Sequence, residues 1–173
     1  MTDRWTITLM GENQSLILET LSDMIVQYQG NWLDSRLAQM DGKFVGIISA
    51  SIPKKNSGKL QDELESFADE REIVMLVTIN GFHQKDSTPI VSLKISAEDR
   101  RGIVLDLANI LRDQHLIVRE FNTHMIRDSQ NQSRIFSSQL VLELPEPKKS
   151  TLIDAIQALG KDFLVDIERF KID

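Results

Sequence analysis

The sequence predicts an α+β protein made of two copies of one βαββαβ unit, each a split βαβ or ferredoxin-like antiparallel sheet with helices on one face. Three observations predict it. The apolar spacing alternates between the period of a strand and that of a helix, in the same order twice along the chain. The first helices superpose at one shift, since Leu21, Met24 and Ile25 fall on Leu107, Ile110 and Leu111, an offset of 107 − 21 = 86. At that offset Ile17 also meets Ile103 and Leu9 meets Ile95. Between the copies lies a polar, glycine-containing stretch, read as a linker over 81–88, which leaves domains at 1–80 and 89–173.

In the first copy, Trp5, Ile7 and Leu9 alternate with Thr6 and Thr8, as on a strand with one buried face. Ile17, Leu21, Met24 and Tyr28 then recur at helical steps, with Leu18 and Ile25 widening the stripe. Gly30 follows as the expected C-terminal glycine of that helix. A strand is expected over 32–40, and Asp41-Gly42 is a hairpin signal because both central residues of that turn favour positive φ. The chain returns as a strand over 43–52. A polar loop leads to a helix marked by Leu60, Leu64 and Phe67, and 73–79 reads as a buried β-branched strand. The second copy runs through a strand at 90–95, a helix at 102–114, a strand at 116–126, a polar turn at 128–132 and a strand at 134–144. Pro145-Glu146-Pro147 stops that ladder. Leu152, Ala155, Ile156 and Leu159 stripe the last helix, and 163–170 closes with a strand. One face of each sheet keeps apolar positions that a single unit cannot hide, so a sister unit or second chain is expected to cover them.

Composition narrows the function classes. Lys and Arg number 20 against 26 Asp and Glu, a net charge of −6, the wrong sign for a general nucleic-acid binder. The absence of cysteine excludes disulfides, thiol catalysis and thiolate metal sites. The N-terminus alternates rather than forming a signal-peptide core, and no later run is long enough to span a membrane, so a cytoplasmic protein is expected.

Motif by motif, catalysis finds little support. His83, His115 and His124 have no metal-ligand spacing, so neither a metal nor a cofactor is expected. His83 reads as a linker residue, His115 as a residue favouring the negative end of its helix, and His124 as an imidazole on a strand. The stretch Lys54-Lys55-Asn56-Ser57-Gly58-Lys59-Leu60 contains Gly-Lys but lacks the upstream glycine and the hydroxyl of a phosphate loop. Lys43-Phe44-Val45-Gly46 holds one aromatic, too few for an RNA platform, so Phe44 reads as core or interface. The informative segment is Asp99-Arg100-Arg101-Gly102-Ile103, where a strand meets a helix. A glycine there lets a ligand approach the backbone, and first-turn N–H groups suit a carboxylate. Asp99 could accept from a ligand ammonium group or cap the helix instead.

Asp99-Arg100-Arg101-Gly102-Ile103 resembles the Asp-Arg-Pro-Gly-aliphatic loop of the ACT domain family, with Arg101 in the proline position. Asn31-Trp32-Leu33-Asp34-Ser35-Arg36-Leu37-Ala38, with Phe44 after the turn, is similar to the second strand of the glycine cleavage repressor group of that family. The resemblance implies two ACT domains in tandem and ligand binding where the first loop meets the start of the second strand, often across a domain interface. Carried over, it points to Asp99, Arg101, Gly102 and Ile103, with Asn122 on the following strand. In the first copy it points to Asn13, Gln14, Ser15 and Leu16 in the loop, facing Asn31 and Asp34. Leu16 occupies the glycine position, so the second copy is expected to be the better site. Asp34-Ser35-Arg36 could instead serve the fold or a dimer edge.

The implied function is a regulatory protein that senses a small amino acid, glycine among the candidates, and acts on transcription of glycine cleavage or amino-acid metabolism through a partner transcription factor. No segment is left for a helix-turn-helix, so direct DNA contact is not expected. Homodimerisation is expected from the exposed sheet edges. Two alternatives stay open at this point. One is a ligand-free ACT interaction scaffold. The other is an acylphosphatase-like enzyme using Arg100 or Arg101 with Asn122.

Overall fold

A computed structural model of the chain describes residues 1–12, 14–80, 89–127 and 133–169. The chain divides into two compact units, Met1–Gln84 and Lys85–Asp173. Each contains one four-stranded antiparallel sheet and two α-helices.

The first unit runs β1 (Thr2–Gly11), α1 (Gln14–Gln27), β2 (Asn31–Met40), β3 (Lys43–Pro53), α2 (Ser57–Glu70) and β4 (Val74–Asn80), with sheet order β2-β3-β1-β4. The second runs β5 (Ile90–Glu98), α3 (Ile103–Asp113), β6 (Ile117–Arg127), β7 (Arg134–Glu143), α4 (Lys149–Gln157) and β8 (Leu164–Arg169), in order β6-β7-β5-β8. The linker read at 81–88, with His83, and the turn read at 128–132 lie outside the described residues.

Alternation makes the cores. Trp5, Ile7 and Leu9 of β1 and Phe44, Ile48, Ala50 and Ile52 of β3 face Ile17, Leu21 and Ile25 of α1 and Leu60 and Leu64 of α2. The second core repeats this with Val91, Leu93, Ile95, Phe136, Leu140, Leu142, Ile103, Leu107, Leu152 and Ile156. Helices therefore cover one face of each sheet, as the apolar stripes predict.

The repeat extends to details invisible in the composition. The second strand of each unit, β2 or β6, carries a register shift at the same place, between Trp32 and Asp34 and between Val118 and Glu120. In each unit a side chain before the second helix donates to a carbonyl at the end of the first. Asn56 Nδ2 meets the Tyr28 carbonyl at 2.7 Å, and Lys148 Nζ meets the Gln114 carbonyl at 2.5 Å. Both satisfy carbonyls that a helix end leaves unpaired.

Two expectations are corrected. Gly30 is not the left-handed residue ending α1. Gln29 is, at φ 59°, with Gly30 N–H donating to the Ile25 carbonyl at 2.8 Å. Glycine is needed at 30 for closeness, because a Cβ there would lie 3.0 Å from the main-chain oxygens of Ile25 and Ser51. His115 likewise ends α3 as its left-handed residue, at φ 53°. The stretch 73–79 is not a buried strand: β4 is an edge, with Val74 and Leu76 more than 60% exposed on the face away from the helices.

Candidate ligand site

The β5–α3 loop closes with Gly102 at φ 84°, a left-handed conformation that favours glycine. From there Gly102 accepts from the Asp106 N–H at 2.9 Å and starts α3. A Cβ at 102 would meet no atom within 4 Å, so the space above the helix head is open. The N–H groups of Val104 and Leu105 have no main-chain acceptor among the described residues, as expected of a first turn. Arg101 is exposed beside them. An exposed arginine, an open glycine and unpaired N–H groups turn positive charge toward the space above the helix head, as a carboxylate would require.

The neighbouring residues are otherwise employed. Asp99 does not cap α3. Its carboxylate pairs with Arg134 Nε at 3.2 Å and its N–H donates to the Arg134 carbonyl at 2.8 Å. Arg100 pairs with Asp106 at 2.7 Å and lies 5.9 Å from the Phe163 ring centroid. Ile103 is buried in the core, so it offers a ligand only main-chain atoms. Asn122 is exposed on the edge strand β6 and aligns through Gln139 with Lys94. That is four residues before Glu98, or about 13 Å along the strand. Within one unit the loop and Asn122 do not meet, and the arginine–asparagine pair of an acylphosphatase is not assembled there.

The first unit differs from expectation in the same way. Asn13 lies outside the described residues, and α1 begins at Gln14, so Ser15 and Leu16 stand in its first turn rather than in a loop. Ser15 is exposed and Leu16 half-buried. Asn31 aligns through Ser51 with Arg4, at the opposite end of β1 from the helix head. Asp34 aligns through Ser49 with Thr6, and its carboxylate accepts from the Ser35 N–H at 2.8 Å and from Arg36 at 3.0 Å. Since β1 and β2 run parallel on either side of β3, the start of one cannot face the end of the other inside the unit.

A cavity of about 340 Å³ does stand at the end of β1, lined by Gly11, Leu16, Ile17, Arg71, Ile73 and Val74 among others. On its rim Lys43 Nζ pairs with Glu12 at 2.5 Å. That hydrogen bond, followed by the charge attraction, holds the Glu12 carboxyl below its ordinary value. Gly11 is needed at its base, because a Cβ there would lie 2.8 Å from Ile17 Cδ1 and 3.1 Å from Ile73 Cγ1. Sequence reading passed over Arg71 and Glu72. Element order could have located them, since the α2–β4 turn must lie at the end of the sheet where β1 finishes.

A larger cavity, about 540 Å³, lies along the second sheet, lined by Lys94, Ser96, His124, Ser137, Gln139 and Asp166 among others. Among the described residues no cluster could hold a metal ion, and no helix is long and apolar enough to cross a membrane.

Comparison with known proteins agrees with this architecture. No curated protein matches the sequence significantly. Over the whole chain the fold is similar to the crystal structure of a protein of unknown role from Galdieria sulphuraria. The TM-score is 0.85 at 20% identity, covering 99% of this chain and 100% of that one. It is also similar to a candidate glycine cleavage system transcriptional repressor, with TM-score 0.71, 16% identity and 99% of each chain covered. Residues 5–79 match the family model of the ACT domain. The first unit is therefore an ACT domain, and the chain is a tandem repeat of the ACT fold.

Proposed function

We propose that the chain is a non-catalytic regulatory protein that binds a small amino acid at its β–α loops and passes the bound state to a partner transcription factor. The head of α3 carries the reading: an open left-handed glycine beside unpaired N–H groups and Arg101 receives a carboxylate. The ACT domain at 5–79 supports a regulatory role. The likeness in fold to a candidate glycine cleavage system transcriptional repressor supports glycine as the ligand and transcription as the output. The net charge of −6 favours protein contact over direct DNA binding. In this reading the protein is cytoplasmic and homodimeric, and a neighbouring copy brings the start of β2 or β6, with Asn31, Asp34 or Asn122, to the loops.

Isothermal titration calorimetry against glycine and serine tests it. Saturable binding is expected in the native chain and in Gly102→Ala, and loss in Gly102→Leu. The alanine variant carries the same backbone strain, about 1–2 kcal/mol, without the bulk. The absence of any amino-acid binding by folded protein overturns the reading. It favours the scaffold alternative, which the exposed Met10, Ile47, Val74 and Leu76 on the open face of the first sheet also support.

A further inference from the structure

We infer that the outer edge of β4, with the groove between β4 and α2, docks an extended segment of a partner protein that alternates apolar residues with lysine or arginine and joins the first sheet as a strand. The inference rests on the reading of contact with a partner protein and names the surface and the chemistry that it takes. β4 is an edge of its sheet, so alternate residues turn main-chain N–H and C=O groups outward. Such edges are ordinarily guarded by charges or bulges. β2, at the opposite edge, has Asp34, Arg36 and a register shift, and β8, the counterpart of β4, has Asp166 and Glu168. Val74-Met75-Leu76-Val77-Thr78-Ile79-Asn80 carries no charge. Beside it runs a groove of about 450 Å³, in which Met75 and Val77 pack against the core on one side and stay half-exposed on the other.

The far wall of the groove is acidic. α2 carries Asp62, Glu63, Glu65, Asp69 and Glu70 against Lys59 alone, whereas α4 has one Asp154 and one Lys149. Glu65 and Asp69 line the groove one turn apart, where like charges repel. Asp69 and Glu70 also add negative charge to the end of a helix that is already negative there. Among the described residues no lysine or arginine pairs with Glu65, Asp69 or Glu70. α2 therefore holds these carboxylates at a cost to its own stability, and cations laid across the groove relieve it. This wall selects the occupant. A second copy pairing β4 with β4 would set two acidic helices side by side, and nucleic acid or an anionic membrane would be repelled. On an added strand, lysines or arginines on the helix face reach Glu65 and Asp69 with their stems over Met75 and Val77. Apolar residues on the other face continue the exposed Val74 and Leu76.

A labelled, capped peptide of alternating valine and lysine, matched in length to β4, tests this by fluorescence anisotropy on the full chain with no amino acid present. Saturable binding is expected, weakened about fivefold or more in Asp69→Lys and in Glu65→Lys. Asp154→Lys on the exposed side of α4 should leave it unchanged. Asp69→Lys is expected to melt above the native chain, because it favours the end of α2, so that its loss of peptide is not unfolding. Binding should also slow hydrogen exchange at outward-facing β4 amides. No binding, equal binding of a valine–glutamate peptide, full binding by both lysine variants, or binding without protection of β4 each overturns the inference. None of these touches the reading of the α3 head, and a failure of glycine to bind leaves this surface standing.

Discussion

Tyr28 is the single tyrosine of the chain, and its hydroxyl donates to Glu63 Oε2 at 2.5 Å, tying the end of α1 to α2. The hydrogen bond to Glu63, then burial, then the charges of Glu63 and Asp62 raise its pKa above the ordinary 10.0. The sign of the linkage follows. A raised value favours the neutral phenol in the folded state, so the contact stabilises the fold fully below the unfolded value. That contribution is lost as pH rises through the folded value. With one tyrosine, the tyrosinate absorbance of the native protein reports this group alone. Its midpoint is expected above 10.0 and should fall back in Glu63→Gln. An unchanged midpoint in that variant would remove the Glu63 contact as its cause.

At the scale of elements, the two sheets differ where one position pairs with another. Gly46 of β3 pairs with Leu37 of β2 and with Leu9 of β1, and a Cβ at 46 would collide with Leu37 Cδ2. In the second sheet Ser138 pairs with Thr123 and Ile95 at the same place. A glycine under a long side chain has become a serine beside a shorter one, and the Ser138 hydroxyl is buried without a partner among the described residues. Gly46→Ser alone is expected to destabilise the fold by about 1–3 kcal/mol through overpacking. Adding Leu37→Thr should recover the steric part, so a double-mutant cycle in urea gives a favourable coupling. Additive costs would show that the two positions do not share that space. The first strand and first helix of each unit were legible as a repeat because their stripes recur at offset 86, but the offset does not hold to the end. Phe44 corresponds to Phe136, an offset of 136 − 44 = 92, because the second hairpin is longer. Nor could an apolar run at 73–79 say whether its strand was central or an edge with one open face, since both need β-branched residues.

Across the whole molecule, the sequence located the glycine at the head of α3 but not the residues that answer it. Arg134 on Asp99, Asp162 on the Glu98 N–H and Asp106 on Arg100 come from a strand, a turn and a helix brought there by folding. Spacing along one loop carries no information about such partners, nor about Asn122 aligning with Lys94 rather than with the loop of its own unit. The cores were legible, because each is assembled from its own unit's stripes: one lies entirely within 5–77 and the other within 91–167. Two self-contained cores of this size allow each half to fold without the other. Expressed separately, 1–84 and 85–173 are each expected to unfold cooperatively on heating. Ligand linkage then assigns the sites, because a ligand raises the melting temperature only of the half that binds it. Glycine should act on 85–173, where Gly102 leaves the helix head open, more than on 1–84, where Leu16 stands in that place. If a neighbouring copy supplies the start of the second strand, each shift grows with protein concentration. Identical responses of the two halves to glycine would mean that the difference between Leu16 and Gly102 at the two helix heads does not set where it binds.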